Sequence, residues 1–409
     1  MTRKAKTMSV FSAVEMAPRD PILGLTEAYL ADPNPKKVNL GVGVYQDANG
    51  KLPVLDCVRT VEQQMGTDPK PRGYLPIDGL KAFTTEVAKL VHGADAAEIA
   101  ENRLVTVQTL SGTGALRVGG DFLRPLSNGT LLLSDPSWEN HQAVFTRCGY
   151  QVDTYRYKAT DRDGIDFDGM LEDLRAAAKG TVVVLHACCH NPTGYDLTDE
   201  QWDQVVQVVT DAELIPLVDM AYQGFADGPE EDVRAIQKFV ATGKPVVNTV
   251  SFAKNMSLYG ERVGALQVTC TDADEAARVL SQLKILIRTM VSSSPTHGAT
   301  VVATVLADEA LRAQWIEELG AMRNRIKEMR RKLVDGLAAA GVTAASGKKD
   351  MGFIAEQVGM FSYSGLSKEQ MVQLREKWGV YGTDKGRICV AALNDSNIDY
   401  VCEAIADVI

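Results

Sequence analysis

LVTVQTLSGTGALR, residues 104–117, runs from an apolar segment through a turn of small residues into a helical pattern. Residues 104–110 read as a buried strand, and Ser111-Gly112-Thr113-Gly114-Ala115 as the turn that follows it. Strand, glycine turn and helix in that order are the building unit of a layered α/β protein. Working outward, the same alternation recurs. Residues 130–134 (TLLLS), 151–157 (QVDTYRY), 181–186 (TVVVLH), 215–219 (IPLVD), 246–252 (VVNTVSF) and 265–269 (ALQVT) read as six further strands. Segments of period near 3.6, such as 167–178 and 200–211, lie between them. The expectation is an α/β fold whose large domain holds a mostly parallel seven-stranded sheet with helices on both faces.

The character changes near residue 307. Residues 308–340 form one long helical pattern, long enough to connect two domains. Beyond it, 360–363 (MFSY), a helix near 368–377 and a short strand around 387–391 predict a smaller α+β domain. Pro18, Pro21, Pro33 and Pro35 give the first 50 or so residues the look of an extended arm or strap. The expected division is an arm and strap over 8–52, a large domain over 53–307, a connecting helix over 308–340 and a small domain over 341–409. Met8 is a candidate natural start, which leaves open whether residues 1–7 are native.

Composition narrows the function. The chain has 409 residues, 45% hydrophobic and 23% charged, enough for a large core without staples. A formal net charge of −10 argues against a nucleic-acid partner, whose binding proteins carry basic patches. The main basic cluster, MRNRIKEMRRK at 322–332, reads as a solvated helix face. Seven scattered cysteines without a CxxC pair argue against a disulfide framework or a zinc site, and fit a reducing compartment. Cys188 and Cys189 beside His190 read as the buried end of a strand rather than metal ligands. No apolar run reaches the ~18–20 residues of a membrane span, and the N-terminus lacks a signal-peptide pattern. The cytoplasm is the expected location.

Three features carry chemistry. The small-residue turn at 111–115 lets backbone N–H groups and a helix N-terminus meet a phosphate; equally, it is a tight packing turn. The frame G-T-G-A-L-R places Arg117 where a dinucleotide fingerprint needs Gly or Ala, and no Walker lysine follows. Asp219 ends a strand, where ligands of open α/β sheets bind, though a helix cap is an alternative. Lys254 follows the strand at 246–250 in a turn of small residues, with Ser251 before it and Arg262 after. A lysine amine forms an imine with an aldehyde when it is desolvated or near other cations. Phosphate turn, strand-end acid and strand-end lysine suit pyridoxal 5′-phosphate, which needs a phosphate cradle, a lysine and an acid at its ring nitrogen.

The chain resembles the class I aminotransferases of the aspartate and aromatic amino acid subgroup, fold type I among pyridoxal-phosphate enzymes. The resemblance covers nearly the whole chain from about Met8. It rests on VNLGVGVY (38–45), RGYLPIDG (72–79), SGTGALR (111–117), SDPSWENH (134–141), HACCHNPTG (186–194), DMAYQGF (219–225), SFAKNMSLYGERVG (251–264) and GRICVA (386–391). It implies that Lys254 holds the cofactor and moves the Cα proton, and that Asp219 pairs with the ring nitrogen, supported from behind by His141. Tyr222 and Asn191 would serve the ring hydroxyl oxygen, and Trp138 would stack on the ring. Ser111, Gly112, Thr113, Ser251 and Arg262 would bind the phosphate, joined by Tyr74 across a homodimer interface. Arg387 would take the α-carboxylate, Gly43 would lie on a strap over the substrate, and Arg288 would reach a distal carboxylate across the same interface. The prolines after Asp135 and Asn191 are candidates for cis bonds on the same ground.

The implied substrates are amino acids and 2-oxo acids. Arg288 points to dicarboxylates, as do Val44 and Thr113; Leu52 and Ser293 lean toward aromatic-accepting relatives, and Gly73 departs from the aspartate-preferring ones. The reading is an aspartate aminotransferase with aromatic activity, with a primarily aromatic enzyme as the alternative. Rival classes are a pyridoxal-phosphate lyase or decarboxylase, which need not keep both Arg387 and Arg288, a non-enzymatic binding module and a nicotinamide dehydrogenase.

Overall fold

The computed structural model describes residues 9–17, 23–348 and 350–409. Among the described residues the strands are β1 (Val38–Asn39), β2 (Leu104–Leu110), β3 (Thr130–Asp135), β4 (Gln151–Arg156), β5 (Val182–His186), β6 (Ile215–Met220), β7 (Val246–Ser251), β8 (Val263–Thr269), β9 (Phe361–Tyr363), β10 (Val380–Tyr381) and β11 (Arg387–Cys389). Seven of them make the large sheet, in the order β2-β8-β7-β6-β5-β3-β4. All neighbours are parallel except β8, which runs antiparallel to both β2 and β7. The reversal matters: Arg262, just before β8, arrives at the edge of the sheet where β2 and β7 end.

Period-two alternation builds two cores. Val182, Val184, Leu217 and Leu266 face one side with the helix Ser111–Leu123; Val183, Leu185, Val218 and Met220 face the other. The inner strands β7 and β8 are buried along their whole length, as strands covered on both faces are. β4, at the edge, buries only Tyr155 fully.

A 31-residue helix, Glu309–Ala339, is capped by Asp308, whose side chain accepts the Leu311 N–H. Trp315, Leu319, Met322, Ile326, Met329, Leu333 and Leu337 form its buried stripe at helical spacing. The basic cluster at 322–332 is therefore not a simple solvated face. Arg330 is buried and donates to the carbonyls of Ile354, Gly359 and Phe361, while Arg323 donates to Gly224 O and Arg325 to Asp47 O and Leu393 O. These guanidiniums tie the long helix to neighbouring loops through backbone carbonyls.

A smaller α+β unit surrounds the helices Lys368–Trp378 and Ile398–Val408, with β9 antiparallel to β11 and β1 parallel to β10. The expected extended arm is helical over Leu23–Ala31. The segment holds no proline between positions 21 and 33, so the prolines flank this helix instead of straightening it. Pro18 and Pro21 lie outside the described residues, as do Met8 and the seven residues before it. Cys188 and Cys189 lie past the end of β5 rather than on it; both are buried and unbridged, as are the other five cysteines.

The long helix meets the lysine turn directly: the buried Trp315 indole N–H donates to Asn255 O at 2.7 Å. Trp315→Phe, which leaves that carbonyl unbonded in a buried place, should lower stability by about 1–3 kcal/mol. The midpoint of denaturant unfolding measures it, and an unchanged midpoint would show that the bond contributes nothing.

Candidate active site

Parallel strands end together, so side chains just beyond them converge. β5, β6 and β7 are in a register that sets His186, Asp219 and Thr249 level with one another. The Asp219 carboxylate is thereby clasped: Oδ1 accepts the Thr249 hydroxyl at 2.5 Å, and Oδ2 lies 3.1 Å from His141 Nε2. Burial opposes its charge, but the His141 bond and proximity, with the Thr249 bond, outweigh that and hold its carboxyl below the usual range. Behind it, Ser137 Oγ lies 2.9 Å from His141 Nδ1 and 3.4 Å from His186 Nε2. Burial, foremost, pushes His186 down to about 3.

Asp219 opens onto a cavity of about 670 Å³. Of the residues expected at the site, Gly43, Ser111, Gly112, Thr113, Trp138, Asn191, Asp219, Tyr222, Ser251, Lys254, Arg262 and Arg387 line it. His141 stands behind the lining, against Asp219. Trp138 packs edge-on to the His141 ring, with centroids 5.2 Å apart. Tyr222 and Asn191 meet, the Asn191 Nδ2–H donating to the phenol oxygen at 3.3 Å.

Lys254 Nζ sits 4.9 Å from the centre of the Tyr222 ring. Among the described residues no carboxylate lies within 4.0 Å of it. Burial lowers its amine from the ordinary 10.5 to about 8; Asp219 resists the shift, and Arg262 and Arg387 add to it. An amine so placed is a nucleophile and a base near neutral pH.

Arg262 Nη2 donates to Ser111 Oγ at 2.5 Å, and Ser111 N–H donates to Arg262 O at 2.9 Å. This corner tolerates no side chain at position 264. A Cβ there would lie 2.4 Å from the Ser111 carbonyl carbon and 2.8 Å from the Gly112 nitrogen. The backbone of the helix Ser111–Leu123 therefore starts hard against β8, with its first N–H groups, the hydroxyl residues Ser111, Thr113 and Ser251 and the Arg262 guanidinium around one small space. That donor set fits a phosphate. A phosphate cradle, a desolvated amine and a clasped carboxylate around one cavity fit pyridoxal phosphate.

Opposite, Arg387 is 1% exposed. Its Nη2 donates to Gly41 O at 2.8 Å and its Nη1 to Asn191 Oδ1 at 3.2 Å, while its buried Nε has no acceptor. The Phe361 ring lies 4.3 Å from the guanidinium carbon. The same ring abuts Gly43, where a Cβ would approach it to 2.5 Å. Both Asp135-Pro136 and Asn191-Pro192 are cis.

Two expected residues are elsewhere. Tyr74, 95% exposed, and Arg288, bonded to Ser292 Oγ, share a surface depression with Leu75, Ile77 and Ser293, away from the cavity of their own chain. Conversely, Thr249, Ser137, Glu139, Tyr259 and Phe361 belong to the site or its support, yet nothing local marks them. Thr249 is recognisable only through the register of β6 and β7, and Tyr259 only through its hydroxyl, which accepts the Tyr45 N–H at 3.0 Å. Among the described residues no group of three or more His, Cys, Asp or Glu is placed to hold a metal.

Fold and site together define a fold type I pyridoxal-phosphate enzyme. Comparison with known proteins narrows this. Residues 35–405 match the family described as aminotransferase class I and II. An aspartate aminotransferase of Pseudomonas aeruginosa is 50% identical over 98% of this chain and 100% of its own. An aromatic-amino-acid aminotransferase of Escherichia coli is 44% identical over 98% and 100%. A crystal structure of an aromatic-amino-acid aminotransferase from Burkholderia pseudomallei, covalently bound to pyridoxal phosphate, superimposes with a TM-score of 0.94 at 54% identity, covering 98% of this chain and 100% of that one. The chain belongs to the class I and II aminotransferases, pyridoxal-phosphate-dependent enzymes.

In cofactor-free protein, reductive trapping of a small aldehyde at Lys254, followed by mass mapping, should rise with pH about a midpoint near 8. A midpoint near 10.5, the ordinary value, would show that the amine is not desolvated.

Proposed function

We propose that the protein moves the amino group of aspartate, and of aromatic amino acids, to 2-oxoglutarate in two half-reactions through one cavity. The convergence of Lys254, Asp219 and Arg387 on that cavity carries this reading. Pyridoxal phosphate, when bound, supplies an aldehyde for the amino group and a ring that accepts the electron pair left at Cα. Ser111, Gly112, Thr113, Ser251 and Arg262 would hold its phosphate, Trp138 its ring face, and Tyr222 with Asn191 its hydroxyl oxygen. Asp219 would keep a proton on the ring nitrogen, with His141 and Thr249 holding the carboxylate charged and aimed. Lys254 would anchor the aldehyde carbon and, once displaced by substrate, carry the proton from Cα. Arg387 would take the α-carboxylate as a fork, under the strap at Gly43.

Tyr74 and Arg288 enter through a second copy. Both are at the surface and adjacent to each other, which suits residues that complete a neighbouring site in a homodimer. Arg288 would then recognise the distal carboxylate of aspartate or 2-oxoglutarate. The relatives named for aspartate and for aromatic amino acids, at similar identity, support dual use. A primarily aromatic enzyme is the second reading, favoured by the 54% identity to the Burkholderia protein. The described residues contain no helix long and apolar enough to cross a membrane. The seven unbridged cysteines support a reducing, cytoplasmic setting.

With 2-oxoglutarate as acceptor, both aspartate and phenylalanine should be turned over, aspartate with the higher kcat/KM. Inert phenylalanine would end the dual reading, and a preference for phenylalanine would establish the aromatic one. Arg288→Ala should cut kcat/KM for aspartate by roughly 10- to 100-fold, the worth of a charge-assisted bond, and that for phenylalanine by less than about 3-fold. Equal losses would remove Arg288 from side-chain recognition.

A further inference from the structure

We propose that Glu139 is the resident counter-ion of Arg387 and competes with the incoming α-carboxylate for it. This rests on the reading that Arg387 receives that carboxylate. The two hydrogen-bond acceptors of Arg387, Gly41 O and Asn191 Oδ1, are neutral. A guanidinium 1% exposed needs a compensating anion. Among the described residues one carboxylate lies within 4.0 Å of it, that of Glu139, with Oε2 3.8 Å from Nη1. At that separation the charges attract but no hydrogen bond forms. Glu139 Oε2 is itself buried without a hydrogen-bond partner, as is Arg387 Nε. Two opposite charges thus face each other in a partly buried place, each offsetting the other and neither fully hydrogen-bonded.

The position of Glu139 explains the arrangement. It is the first residue of the helix Glu139–Arg147, directly after Trp138, so its backbone is fixed. An acid in a first helical turn is favoured by the helix field alone. That accounts for a carboxylate here but not for its burial against a guanidinium: Asp199 and Glu200, first-turn acids of another helix, are exposed. Glu139 also borders a second cleft, whose lining includes Asp135, Lys385 and the Arg375–Asp384 ion pair. Glu139 therefore forms part of the wall between the site and that cleft.

The consequence is a deliberate loss of affinity. An α-carboxylate that docks on Arg387 must displace a like charge or lie beside it. Every amino acid and 2-oxo acid of both half-reactions bears that group, so the penalty is common to substrates and products. It weakens ground state and transition state alike, and so acts on KM rather than kcat. Products leave more readily for the same reason. Glu139 is thus a positioning residue that sets how tightly the shared carboxylate site holds its occupants.

Calorimetric titration of the holoenzyme with two amine-free carboxylates, succinate and 3-phenylpropanoate, tests this without requiring turnover. Glu139→Gln should bind both about 5- to 50-fold more tightly, the order expected for removing one nearby like charge from a partly buried site. Glu139→Asp, which keeps the charge but draws it back, should fall between. The uncharged 3-phenylpropanamide should not distinguish the variants. In turnover, KM should fall for donor and acceptor alike, with kcat within about 3-fold. Unchanged or weaker carboxylate binding by Glu139→Gln would overturn the competition. Arg387→Gln separates the two levels: if it binds both carboxylates as wild type does, the reading of Arg387 fails and takes this inference with it. If it loses them while Glu139→Gln gains nothing, the competition alone is overturned.

Discussion

A carboxylate that stays charged inside a protein is the demand around which this molecule is built. Asp219 has no lysine or arginine in ion-pairing contact among the described residues; it is held by a hydroxyl and an imidazole. Those two partners come from different elements, Thr249 from the neighbouring strand and His141 from the helix after β3. Both contacts require β6 and β7 in one register and the helix at one depth. A slip of one residue would turn Asp219 into the opposite core. The register of β6 against β7 is thus a condition for the charge at the strand end.

The other charges around the cavity follow a common rule: each is left partly unpaired. Lys254 has cations for neighbours and an aspartate beyond contact; Arg387 has neutral acceptors and one distant carboxylate. Full pairing would be better for the fold and useless for a ligand. The cost of these incomplete pairings is carried by the sheet and by the long helix, whose Trp315 and Arg330 fasten the lysine turn and the loop that ends in Phe361. Rigid surroundings permit unsatisfied groups because nothing nearby can relax to satisfy them.

Much of this was legible in the residues. All seven strands of the large sheet lie within two residues of where the apolar runs place them, because each run is bounded by a turn or helix signal. The lysine, the aspartate and the small-residue turn stood out because strand ends are informative positions in α/β sheets. What could not be read was tertiary. The antiparallel course of β8 has no sequence mark, since a buried strand looks the same in either direction. The helix Leu23–Ala31 was obscured by flanking prolines. The buried carbonyl contacts of Arg330 were obscured by a cluster of charges that resembles a wet surface. Glu139 carries no mark of its own in the sequence, its meaning residing wholly in what a residue 248 positions later brings to within 3.8 Å of it.

One quiet feature has practical weight. All seven cysteines are buried and unbridged. Burial raises the thiols of Cys57, Cys148, Cys189, Cys270, Cys389 and Cys402 above their usual range, and a neighbouring thiol together with burial does so for Cys188. Thiols so placed are poor nucleophiles toward maleimides and iodoacetamides. A single cysteine introduced on the exposed face of the long helix would therefore stand against a silent background, and a fluorophore or spin label attached there would report on that helix alone.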